Sequence, residues 1–124
     1  MAGVRFNHMV KSSGIRAQAA RLDGVFHALS DATRRSILRK VANGEKTVGQ
    51  IAEPYPISLA AISKHLKVLE GARLIQREKR GSFQIVRINA APMREAGEWI
   101  AYYEKFWNEQ LDALEKLIER EDAR

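Results

Sequence analysis

The sequence predicts a mostly α-helical domain with one small β-hairpin, in the order α-α-α-α-β-β-α. Three observations predict it. Apolar residues recur at helical spacings along several stretches before residue 72 and along one long stretch after residue 91. Helix-starting residues stand before most of those stretches. Between Leu74 and Ile88, two β-rich runs flank a short basic turn.

Each element has its own signal. Ile15, Ala19, Leu22, Phe26 and Leu29 form the stripe of a first helix. Ser30-Asp31 offers a cap for a second helix through Ile37, Leu38 and Val41, and Asn43-Gly44 stops it. Thr47 with Gln50 three residues later fits a capping box and opens a third helix. Pro54 and Pro56 end it, because proline has no N–H to donate and disfavours helix at the residue before it. Ser58 caps a fourth helix with the stripe Leu59, Ile62, Leu66 and Leu69, and Gly71 is the expected left-handed stop. Leu74 to Lys79 and Phe83 to Ile88 are the strands. Pro92 starts the last helix, and a helix over 92–120 would be about 44 Å long at roughly 1.5 Å per residue.

Composition bounds the function. The chain has 124 residues, 21 Lys+Arg against 15 Asp+Glu, and a net charge of +6. That is one domain's worth of sequence. We expect a single domain over 15–120, and a disordered N-terminal arm over 1–14, where Met9 is a second candidate start. From Arg34 to Arg87 there are 12 basic and 4 acidic residues, whereas residues 88–124 carry 5 basic and 9 acidic. The positive charge therefore sits on the helix pair and hairpin, where a phosphate backbone would be met. With no cysteine there is no disulfide or thiolate metal site. No apolar run suits a bilayer and no secretory signal is evident, so the cytoplasm is the expected location.

Two short helices followed by a charged β-ribbon are a way to place one helix in a DNA groove and a loop beside it, which is the winged helix-turn-helix arrangement. At 100° per residue, Ile62, Leu66 and Leu69 of the fourth helix face the core. Ala60, Ser63, Lys64 and Lys67 point the other way, with Ala61 and His65 on the flanks. Small residues allow close approach to base edges, and Ser, Lys and His supply donors. An ordinary solvated helix face would look the same in isolation; the flanking short helix and hairpin favour the DNA reading. His65 has no neighbouring metal ligand, so it is either a phosphate or base contact or a packed flank residue. Lys79-Arg80-Gly81-Ser82 forms the hairpin tip. Arg73, Arg77 and Arg87 extend a phosphate track, or cover apolar surface with their stems.

The last helix carries Trp99, Tyr102, Tyr103, Phe106 and Trp107, followed by Leu111, Leu114, Leu117 and Ile118. An aromatic stripe is usually core. This one is longer than a small core can cover, so its surplus needs a partner, and the simplest is a second copy of the chain. The first stripe would be the other half of that interface. No enzyme constellation is present: no glycine-rich phosphate loop follows a strand, and His8, His27 and His65 sit in three different elements.

The run Phe26-His-Ala-Leu-Ser-Asp31-Ala-Thr-Arg34-Arg35-Ser-Ile-Leu38 resembles the second-helix signature of the ArsR family of winged-helix repressors. Thr47-Val-Gly-Gln-Ile-Ala-Glu53, then Ser58-Leu-Ala-Ala-Ile-Ser63-Lys64-His65-Leu-Lys67-Val-Leu-Glu70, is similar to that family's helix-turn-helix. The likeness covers roughly residues 20–118. Phe106-Trp107 with Leu111, Leu114 and Glu115 is similar to a subgroup with that aromatic pair. The resemblance implies a homodimer repressing transcription at a palindromic operator and released by some signal. It gives a DNA-facing role to Ser58, Ala61, Ser63, Lys64, His65 and Lys67, and a wing role to Lys79 and Arg80. The dimer contacts would be Leu22, Phe26, Trp99, Tyr103, Phe106, Trp107, Leu111 and Leu114. Three departures matter. Ala32 replaces a frequent proline, and Arg73 stands where glycine usually ends the recognition helix. The third helix lacks the family's metal-binding cysteines, and residues 92–120 contain no histidine, so metal sensing does not carry over.

The expectation is a dimeric DNA-binding repressor with no metal or cofactor, whose partners are double-stranded DNA and itself. Any inducer would be an organic molecule or a protein acting at the aromatic helix. The alternative is an interaction module that uses that helix to bind another protein.

Overall fold

The structure, a computed structural model, describes the backbone of residues 2–123 and the side chains of residues 14–123. Eight elements follow one another: α1 Ala2–Leu29, α2 Ala32–Ala42, β1 Lys46–Thr47, α3 Val48–Ala52, α4 Leu59–Gly71, β2 Ile75–Arg80, β3 Phe83–Ile88 and α5 Ala91–Asp122. They fall into two compact units, Met1–Met93 and Arg94–Arg124. The segment expected as an arm lies within the span of α1, but its side chains through residue 13, His8 among them, lie outside the described residues.

The caps form as the sequence predicts. Asp31 accepts the backbone N–H of Arg34 at 3.0 Å, and Ser58 accepts that of Ala61 at 3.1 Å. Thr47 and Gln50 make the reciprocal capping box. A cap of this kind contributes roughly 1 kcal/mol.

The sheet has one more strand than the hairpin expected from the sequence. It is antiparallel in the order β1-β3-β2, with Lys46 opposite Val86, Ile75 opposite Ile88 and Arg80 opposite Phe83. Strand β1 is two residues long, too short for any alternation, and exists only through its partner. The hairpin turns on Gly81 and Ser82, and Gly81 takes φ 59°, the first position of a II′-type turn.

The core of the first unit joins Val25 and Ala28 of α1, Ile37, Leu38 and Val41 of α2, Ile51 of α3, Ile62, Leu66 and Leu69 of α4, and Leu74, Ile75 and Val86 of the hairpin. Two expectations need correction. In α1 the fully buried residues are Val25 and Ala28, while Leu22, Phe26 and Leu29 are half-buried and Ile15 is exposed. The helix meets α2 and α4 along a face turned about 100° from the stripe. In α4, Leu59 is 63% exposed, because the first turn projects beyond the core that Ile62 begins.

The left-handed stop also moves. Gly71 is helical, and Arg73 takes φ 61°. Arg73 N–H donates to the Glu70 carbonyl at 2.9 Å and Leu74 N–H to that of Leu69 at 3.0 Å, the paired bonds of a Schellman motif. The buried Leu74 supplies its apolar contact. An arginine thus holds the position that glycine occupies most easily.

In α5, every described residue from Gly97 onward is exposed, including Trp99, Tyr103, Phe106, Trp107, Leu111 and Leu114. Trp99 and Tyr103 lie with ring centroids 4.3 Å apart and planes tilted by 38°, and Phe106 meets Trp107 edge-on at 6.1 Å.

Candidate nucleic-acid interface

Helices α3 and α4 are joined by the Pro54-Tyr55-Pro56 turn. Tyr55 anchors it, donating to Ser36 Oγ at 2.6 Å beneath the Lys40 ammonium, which sits 3.8 Å from the ring centre. With Ile62, Leu66 and Leu69 buried, α4 turns Ala60, Lys64 and Lys67 to solvent. Ser63 and Ala61 are half-buried on opposite flanks, and Ser58 is exposed at the cap. Lys64 and Lys67 have no acidic partner among the described residues, so their ammonium groups are available to an anion.

His65 lies elsewhere. Its side chain is 22% exposed and turns toward the start of α2, with Nδ1 3.9 Å from an Asp31 oxygen and 3.3 Å from Arg34 Nη1. A guanidinium has no lone pair to offer. A bond between the two therefore needs the tautomer in which Nδ1 accepts and Nε2 carries the proton. The Asp31 carboxyl is held below its ordinary range, chiefly by the Arg34 backbone N–H it accepts, against partial desolvation, and then by the Arg34 charge.

Arg34 is the residue that pattern reading missed. It counted as one more positive charge and as part of the second-helix signature, with no role of its own, yet it is buried, with 9% of its surface accessible. Its Nε donates to the Ala28 carbonyl at 2.8 Å and its Nη2 to that of His27 at 3.0 Å. It thereby closes the carbonyl end of α1 while touching α4 through His65. Arg35 donates to the Leu29 carbonyl and the Ser30 hydroxyl to that of His27.

The hairpin's cations are mostly engaged. Arg80 forks onto Glu45 at 2.6 and 3.2 Å and reaches Glu78 at 3.2 Å. The Arg80 hydrogen bond is the main reason the Glu45 carboxyl is held below its ordinary range, and Glu45 in turn raises the Arg80 guanidinium. Arg87 pairs with Glu78 at 3.1 Å and Arg77 with Glu70 at 3.6 Å. Lys79 and Arg73 are the exposed cations there with no acidic partner among the described residues.

Between α4 and the hairpin runs an open groove of about 620 Å³, lined by Thr47, Val48, Leu59, Ala60, Ser63 and Phe83 among others. Leu59 and Phe83, each more than 60% exposed, make its walls apolar. The sequence did carry a signal for Leu59, its place immediately after the cap, but the helical spacing outweighed it.

Among the described residues, no three His, Cys, Asp or Glu side chains come together as a metal site would need, and no helix is long and apolar enough to cross a membrane. Of the residues expected at a dimer contact, Leu22 and Phe26 are half-buried in α1, and the six on α5 are exposed.

Comparison with known proteins agrees with this geometry. A family model described as bacterial regulatory protein, arsR family, matches residues 31–77. The HTH-type transcriptional regulator Rv2034 of Mycobacterium tuberculosis is 32% identical over 99 residues, covering 80% of this chain and 90% of that protein. The transcriptional repressor SdpR of Bacillus subtilis is 37% identical over 79 residues, 64% of this chain and 88% of that protein. Among solved structures, the homodimeric winged helix-turn-helix DNA-binding domain of Mb0332 from Mycobacterium bovis superposes with a TM-score of 0.54 at 25% identity, covering 82% of this chain and 89% of that one. Matched in sequence over most of its length by transcription regulators rather than enzymes, the chain belongs to the bacterial arsR family of DNA-binding transcriptional regulators.

Proposed function

We propose that this regulator is a homodimeric repressor that acts in the cytoplasm on an inverted-repeat operator, without sensing metal through the usual sites of its family. The observation that carries the DNA-reading role is the cationic face of α4, Lys64 and Lys67 beside Ser63, which has no acidic partner among the described residues, together with the exposed Lys79 of the hairpin. Ser58, Ala61, Ser63, Lys64 and Lys67 face bases and phosphates, and Lys79 meets phosphate. His65 and Arg80, each held by neighbouring residues, set the positions of the helix and the hairpin.

The repressor reading is supported by the name of the Bacillus subtilis relative, and the dimer by the Mycobacterium bovis structure. The exposed apolar stripe of α5 also supports a dimer, since a monomer rarely leaves so large an apolar patch in water. A two-fold dimer sets its recognition helices about 34–36 Å apart, one turn of DNA. The case against metal sensing is chemical. Zinc sites take about four Cys, His or carboxylate ligands, and this chain has no cysteine.

The test begins with selection of bound fragments from genomic DNA. Affinity for the selected operator should fall with salt at a log–log slope near −0.9 per phosphate neutralised. Ser63→Ala and Lys64→Ala should each lower discrimination against random DNA by about 1–3 kcal/mol if the side chain bonds a base edge. Absence of salt dependence, or unchanged discrimination in both variants, would overturn the assignment. Stoichiometric zinc, cadmium or arsenite should leave the operator bound. Chelator-reversible release would overturn the metal-free reading.

A further inference from the structure

We infer that Leu59, with Ala60 beside it, reads thymine: the two side chains take up 5-methyl groups in the DNA major groove. This deepens the DNA-binding role proposed above and rests on it.

Leu59 is the first residue of the recognition helix, at the end of such a helix that meets base edges. It is 63% exposed and Ala60 is exposed beside it. An uncovered leucine in the first turn gains nothing from water. Both residues line the groove whose far wall is Phe83, also 62% exposed. Leu59 is therefore one of several apolar side chains on this groove rather than one stray residue. What covers it is indicated by charge. Lys64 and Lys67 stand on the same helix with no acidic partner among the described residues, and the segment Arg34–Arg87 carries 12 basic against 4 acidic residues. A surface so charged meets a polyanion, and the thymine methyl is the apolar group that the DNA major groove offers. Ser63, half-buried on the groove side of the helix, is placed to bond the adjoining base edge.

The experiment uses the full chain and its selected operator. Each thymine of a half-site is replaced in turn by 2′-deoxyuridine, which removes only the methyl, and affinity is read by fluorescence anisotropy. At one or two positions the wild-type chain should bind about fourfold more weakly, the effect of losing one buried methyl-sized group. Leu59→Ala should lose a similar factor on the thymine operator and show no further loss on deoxyuridine at those positions. Leu59→Met should keep the sensitivity. Far-UV circular dichroism should match wild type, because the residue is exposed. If no deoxyuridine weakens wild-type binding, or if Leu59→Ala stays fully sensitive, the inference is overturned while the repressor reading stands. The wild-type arm decides this even without the variants. A chain that selects no operator overturns the repressor reading, and this inference with it.

Discussion

Replacing Arg34 by alanine should destabilise the fold far more than removing any other cation. The structure provides the magnitude. Nε bonds the Ala28 carbonyl in a buried setting, and Nη2 bonds the His27 carbonyl where it is partly buried. A hydrogen bond to a charged group contributes roughly 1.5–3 kcal/mol. The first bond counts in full and the second at about half, since water can reach that carbonyl. The 3.3 Å contact with His65 is long and adds little. The total is about 3 kcal/mol, a large part of a stability that is typically 5–15 kcal/mol. Arg34→Lys keeps the charge but has one donor head in place of the fork, so it should cost about half as much. Urea titration of wild type and both variants, at one protein concentration because the proposed dimer would contribute to stability, gives the comparison. An Arg34→Ala midpoint that corresponds to less than about 1 kcal/mol would refute the view that this side chain closes α1.

Other variants have equally definite outcomes. Arg73→Gly should stabilise by about 0.5–1 kcal/mol, the relief of a left-handed arginine less the extra freedom of glycine in the unfolded chain; a lower urea midpoint would contradict the strain at φ 61°. Glu45→Gln with Glu78→Gln removes both carboxylates that hold Arg80, so random DNA and operator should both bind more tightly, with a salt slope steeper by about 0.9; unchanged binding would show that Arg80 cannot reach phosphate. Trp107→Glu places a charge on the exposed stripe of α5 and should give monomers in sedimentation at micromolar concentration; a persistent dimer would place the interface elsewhere.

By itself the sequence determined what depends on neighbours three or four residues away. Asp31, Thr47 with Gln50, and Ser58 mark helix starts because the bonds they make close within one turn. Ile62, Leu66 and Leu69 show their buried face because helical spacing alone aligns them. The cationic face of α4 and the basic hairpin were legible for the same reason, and so was the apolar surplus of α5. Tertiary structure decided whatever depends on distant partners. Strand β1 exists only because β3 runs beside it. Leu59 has the spacing of a core residue but sits past the core's edge, and Val25 and Ala28 are buried because α2 and α4 pack there. Long side chains were least legible. Arginines 34 and 80 are the same residue in the sequence, yet one closes a helix end and the other is clamped by two glutamates. A guanidinium offers five donors on a flexible stem, so its role is set by which acceptors the fold brings within reach.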